Sequence, residues 1–247
     1  MVAPTMELTT DVAAPAKSRT NWLGVAGILA MVGAQIFVFL TSPPDRDMGH
    51  LQKIMYVHVP AAWNAFLAYF VVAIASLRYL WKGRPTDDLL ASSAAEVGAL
   101  LTGLTLALGM IWGRPTWGVW WTWDPRLTST AVLFFIFIAY LLLRAFVDDP
   151  ERRAQWSAVV GLLGALNVPI VYMSVRWWRT LHQIQSSPST VDPQYTWGLR
   201  ANAIAVLLVL IFCIRHRYES ARLERAADDL VDRAALAEGR VREATNA

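Results

Sequence analysis

Five of the twelve tryptophans fall within twelve consecutive positions, Trp112 to Trp123, in the run Trp112-Gly113-Arg114-Pro115-Thr116-Trp117-Gly118-Val119-Trp120-Trp121-Thr122-Trp123-Asp124-Pro125-Arg126-Leu127-Thr128-Ser129. Indoles offer flat, polarisable, apolar faces with one N–H donor each. Gly118 lets the backbone come close to a ligand. Arg114 and Arg126 are fixed cations suited to carboxylates. Asp124 can orient Arg126 or cap a helix beginning near Leu127. Such a peptide suits a large, planar, apolar body with carboxylate arms. The plainer alternative is a structural loop in which Asp124 and Arg126 form a surface ion pair. A membrane-interface aromatic belt accounts for one or two rings per helix end and leaves the rest unexplained.

The chain has four histidines. His58 lies in Ile54-Met55-Tyr56-Val57-His58-Val59-Pro60, and His182 in Arg179-Thr180-Leu181-His182-Gln183. Taken singly, each reads as a polar residue at a membrane boundary. A planar apolar body with carboxylate arms describes haem, and an imidazole on each side of a porphyrin gives bis-histidine ligation. His50 ranks well below His58 for such a role, and His216, between Arg215 and Arg217, is most simply a helix-end residue. Lys53 lies five residues before His58 and Arg176 six before His182, so either can meet a carboxylate.

The elements that must position these groups are membrane helices. Hydrophobic residues make up 55% of the chain and charged residues 17%, with a mean hydropathy of +0.37. A soluble domain carries about 25% charged residues. A helix needs about 20 apolar residues to cross a bilayer, and six runs qualify, at about 21–40, 61–80, 93–112, 127–146, 156–175 and 199–214. The predicted fold is all-α, a polytopic bundle of about six transmembrane helices over 21–217. A tail of 1–20 precedes it, and a charged tail of 218–247, a solvated or frayed helix, follows it. Pro60 is expected in the first turn of the second helix.

Lys17, Arg19, Arg78, Lys82, Arg84, Arg144, Arg152, Arg153, Arg215 and Arg217 flank one set of helix ends. The positive-inside rule places that set, and both termini, in the cytoplasm. The outward segments are then about 41–60, 113–126 and 176–198, which puts His58, His182 and the tryptophan loop on one side.

The string Trp117-Gly-x-Trp120-Trp121-x-Trp123-Asp124-x-Arg126-Leu127-Thr128-Ser129 resembles the tryptophan-rich WWD signature of the haem-handling proteins of cytochrome c biogenesis. Chain length and span number look like the CcmC branch of that family, over about 21–217. The resemblance implies a haem-delivery component of the bacterial inner membrane, not an enzyme, with non-covalent haem b as transient cargo on the periplasmic side. It implies His58 and His182 as iron ligands and Trp117, Gly118, Trp120, Trp121, Trp123, Asp124 and Arg126 as haem-binding residues. Arg114, Lys53 and Arg176 are weaker candidates for the propionates. The partners it implies are the haem chaperone CcmE, the ATP-binding cassette subunits CcmA and CcmB, and CcmD.

Other classes find little support. There is no phosphate-binding G-x-x-x-x-G-K-[ST], no C-x-x-C-H for covalent haem, and no H-E-x-x-H or G-x-S-x-G. Nucleic acid is not an expected partner at a net charge of +3. The one cysteine, Cys213, allows no internal disulfide and reads as a buried filler. A small permease subunit would need polar groups facing each other at mid-membrane, where Gln35, Asn167 and Asn202 are sparse. A membrane-bound haem oxidoreductase would need an open iron position, which two histidines deny.

Overall fold

The computed structural model describes residues 21–182 and 191–246, with side chains to 238; the expected 1–20 tail lies outside the described residues. Six helices long and apolar enough to cross a membrane account for most of the described chain. They are α1 (Trp22–Thr41), α2 (Met55–Lys82), α3 (Pro85–Trp117), α4 (Pro125–Phe146), α5 (Pro150–Trp177) and α6 (Pro193–Asn246). A short 3-10 turn, His50–Ile54, leads into α2.

Local chemistry explains the boundaries. Proline occupies the opening turn of α3, α4 and α5, where its missing N–H costs nothing. Asn21, Asp124 and Asp149 cap α1, α4 and α5 by accepting backbone N–H bonds. Gly83 and Gly118 end α2 and α3 at φ of 61° and 80°, a left-handed conformation that favours glycine.

Three expectations need correction. Helix α2 begins at Met55, so Pro60 sits inside it and His58 is helical instead of lying in a preceding loop. Helix α3 runs on through Trp117 and α4 opens at Pro125, which shortens the expected 113–126 loop to residues 118–124. Of the two alternatives for the charged segment the solvated helix is found: α6 continues through it as one helix, with Leu223, Leu230, Val231 and Leu236 exposed. Cys213 is half-buried rather than fully buried. Hydropathy marks only the part of a helix that meets hydrocarbon; capped polar turns extend it beyond.

Helices α2, α3, α4 and α5 pack as a ring, each against the next, while α6 lies outside on α2 and α3 and carries α1. The middle of the ring is filled by Tyr69, Val72, Leu133, Phe137, Tyr140 and Val171. Gly98 lets α3 approach so closely that a Cβ there would stand 2.7 Å from the Phe137 ring. The mid-membrane amides act as staples. Gln35 donates to Asn202, Asn64 to the Ala203 carbonyl, and Asn167 to the Ser129 carbonyl at 3.0 Å.

The end of the ring farthest from His58 is closed by charge. Arg144 grips Asp88 through two hydrogen bonds, and Arg78 pairs with Asp87 at 3.1 Å. Both members of the first pair are largely buried, so removing one strands the other in a low dielectric. Arg144→Ala is expected to destabilise the protein by about 3–5 kcal/mol. Thermal unfolding in detergent tests this, together with the Asp88→Ala/Arg144→Ala double variant, which should recover part of the loss.

Candidate functional site

The other end of the ring opens into a cavity of about 330 Å³, within the usual range for small-molecule sites. All four ring helices contribute to its wall, as do the loops after α3 and α5. His58 from α2, Trp112 and Trp117 from α3, Trp121 from the loop, Arg126 from α4 and His182 from the segment after α5 meet there. The two histidines, 124 positions apart in the chain, thus share one cavity with the indoles.

Asp124 organises this end. Its Oδ1 accepts the Arg126 N–H at 2.9 Å and the Leu127 N–H at 3.4 Å, capping α4. Its Oδ2 accepts the Thr180 hydroxyl at 2.6 Å and the Leu181 N–H at 2.7 Å. His182 Nδ1 stands 3.3 Å from Oδ1. An ionised carboxylate only accepts, so Nδ1 carries the proton and Nε2 keeps the free lone pair. This is the carboxylate–histidine pairing that orients metal-binding imidazoles. Trp117 holds the same ring edge-on at 5.0 Å.

His58 is held by packing. The Trp112 ring meets it edge-on at 5.9 Å. Its Nδ1 is buried and makes no hydrogen bond of ordinary geometry among the described residues; the Thr105 backbone is its polar neighbour, a weaker contact. Arg126 Nη1 is likewise buried on the cavity wall without a partner among the described residues. A buried guanidinium nitrogen without an acceptor is costly, and this one fits an anionic group on a ligand. The expectation that Asp124 orients the Arg126 side chain gives way: the carboxylate takes the Arg126 backbone N–H instead, and with Asp124 only 5% exposed the surface ion pair is excluded.

Several sequence candidates do not reach the cavity wall. Trp120 and Trp123 are 58% and 82% exposed, with Trp123 edge-on to Trp121. Gly118 serves as the α3 cap, and Arg114 donates to its carbonyl. Lys53 turns to the Phe39 carbonyl and ring, and Arg176 is exposed. Met48, Trp63, Gly109 and Met110 line the cavity and were not singled out from sequence. Reading α2 from Met55 puts His58, Ala62, Ala65 and Phe66 on one helical face, and that periodicity was the available signal.

Among the described residues no group of three His, Cys, Asp or Glu could hold a metal ion. Two imidazoles in an apolar, indole-lined cavity instead suit a metal whose remaining ligands come from a macrocycle.

The family model for CcmC, "Heme exporter protein C", matches residues 6–232. The chain belongs to the heme exporter protein C family. Its relatives include the heme exporter protein C of Bradyrhizobium diazoefficiens, 39% identical over 194 residues (77% of this chain and 73% of the relative). The protein of that name from Escherichia coli K12 is 33% identical over 190 residues, 76% of this chain and 77% of the relative. A putative cytochrome c biosynthesis ccmC-like mitochondrial protein of Marchantia polymorpha is 42% identical over 145 residues, 59% of this chain and 61% of the relative.

Burial pushes the His182 imidazole below its ordinary value; the Asp124 carboxylate opposes that shift without cancelling it, and the Arg126 cation adds to it. For Asp124, burial pushes upward, but hydrogen bonds from Thr180, Leu181 and Arg126 and the field of His182 outweigh it and hold the carboxyl below its ordinary range. The fold therefore favours neutral His182, the form that ligates metal. With its folded-state pKa depressed, that contribution is fully present above the unfolded value of about 6.5 and is lost as pH falls through the folded value. Thermal stability should drop more steeply for the wild type than for His182→Gln as pH falls from about 7.5 to about 5; parallel profiles would exclude the shift.

Proposed function

We propose that this protein binds haem b in the α2–α5 cavity and passes it to a chaperone during c-type cytochrome biogenesis. In this reading His58 and His182 are the axial ligands, the indoles cover the macrocycle, and Arg126 pairs with a propionate. The observation that carries it is the convergence of two histidines from distant segments of the chain in a cavity where a buried guanidinium nitrogen of Arg126 lacks a partner among the described residues. Family membership supports haem as the cargo, since relatives carry the printed name heme exporter protein C.

The protein acts as a carrier and not as an enzyme. Two imidazoles fill both axial positions of iron and leave no site for oxygen activation. The acceptor is the haem chaperone CcmE, and the partners are CcmA, CcmB and CcmD. The site faces the periplasm from the inner membrane, with the arginine- and lysine-flanked helix ends in the cytoplasm. The far end of the ring is packed with aromatic residues and ion pairs, so haem reaches the cavity at the outer level, sideways from the lipid, without threading the bundle. The amide staples join helices and line no path, which favours the carrier over a permease.

The test is absorption spectroscopy of the purified protein with haem, followed by transfer to purified CcmE. Wild type should show six-coordinate, low-spin haem. His58→Ala and His182→Ala should each become five-coordinate and lose more affinity than the roughly 10–100-fold typical of outer-sphere changes. Spectra unchanged in both variants would remove the ligand assignment, and failure to load CcmE would remove the delivery step.

A further inference from the structure

Gly109 lies in the interior of α3 and faces the cavity. Glycine within a helix costs about 1 kcal/mol relative to alanine, so its place there calls for a steric reason. A Cβ built on Gly109 would stand 3.1 Å from His58 Cε1 and 3.8 Å from Nδ1, and among the described residues no other atom outside its own helix backbone and chain neighbours lies within 4 Å. Ordinary carbon contacts are about 3.5–4.0 Å. A side chain at 109 would therefore press the imidazole aside by a few tenths of an ångström.

The two ligand histidines are held differently. His182 is fixed by a carboxylate. His58 makes no hydrogen bond of ordinary geometry at Nδ1 among the described residues, so its ring angle is set mainly by its walls: the Thr105 backbone, the bare face of Gly109 and the edge of Trp112. We propose that Gly109 is a positioning residue for His58, its missing side chain fixing how far the imidazole sits back against α3 and so the angle at which it meets iron. This rests on the haem-binding reading above.

Gly103 provides a matched control. It lies on the same helix, and a Cβ there would stand 3.2 Å from the Phe134 ring, whose atoms are its three nearest neighbours. The experiment compares the full-length protein, loaded with haem, as wild type, Gly109→Ala, Gly103→Ala, His58→Ala and the His58→Ala/Gly109→Ala double variant. Gly109→Ala should show mixed-spin haem and lose it roughly 10-fold faster, with added imidazole restoring the low-spin spectrum. Gly103→Ala should match wild type. In the His58→Ala background, Gly109→Ala should change neither spectrum nor haem loss.

An unmoved Gly109→Ala spectrum overturns the inference, as does an equal change in Gly103→Ala or an equal increment without His58. If Gly109→Ala folds only when His58 is absent, the steric conflict is established directly; failure to fold in both backgrounds assigns Gly109 to helix packing and overturns it. Wild-type protein without His58-dependent low-spin haem overturns the site reading and this inference together. A normal wild type with an unmoved Gly109→Ala overturns this inference alone.

Discussion

One carboxylate joins the parts of the cavity that the chain keeps apart. Asp124 accepts from the backbone at Arg126 and Leu127, from the Thr180 hydroxyl, from the Leu181 N–H and from the His182 ring. Those donors belong to the start of α4 and to the segment after α5. Buried as it is, the carboxylate has few waters to compete for these bonds, and each donor would be stranded without it. The tryptophan loop is thereby tied to the second histidine through the residue that ends its signature.

The rest of the architecture serves that outer end. The ring of α2 to α5 leaves room at one level and fills the others, with aromatic side chains at mid-depth and ion pairs at the far end. A pocket closed below and open above suits a carrier that takes cargo and surrenders it on the same side. The two histidines are supported in contrasting ways, one by a charged hydrogen-bond network and one mainly by packing. Bonds hold the first at a fixed tautomer, while neighbouring walls define the second, so small residues opposite it acquire a role that their chemistry alone does not suggest.

The exposed tryptophans have a different place from the lining ones. Trp117 and Trp121 face the cavity, while Trp120 and Trp123 point away from it. Helical geometry separates neighbouring side chains around α3, and the turn at Gly118 then redirects the chain. A run of rings that reads as one platform in sequence becomes a wall and a rim.

The sequence by itself determined the class of fold, the number of spans and the tryptophan signature, because long apolar runs and rare residue clusters are local properties. It also brought His58, His182, Trp117, Trp121 and Arg126 forward as candidates, by side-chain chemistry and family resemblance. What only the tertiary structure decided was which candidates share a wall: that Lys53, Arg114 and Arg176 turn elsewhere, that Asp124 meets the Arg126 backbone and the His182 ring, and that Gly109 faces His58. Those relations depend on how far helices rotate and approach one another, and packing between distant segments sets both.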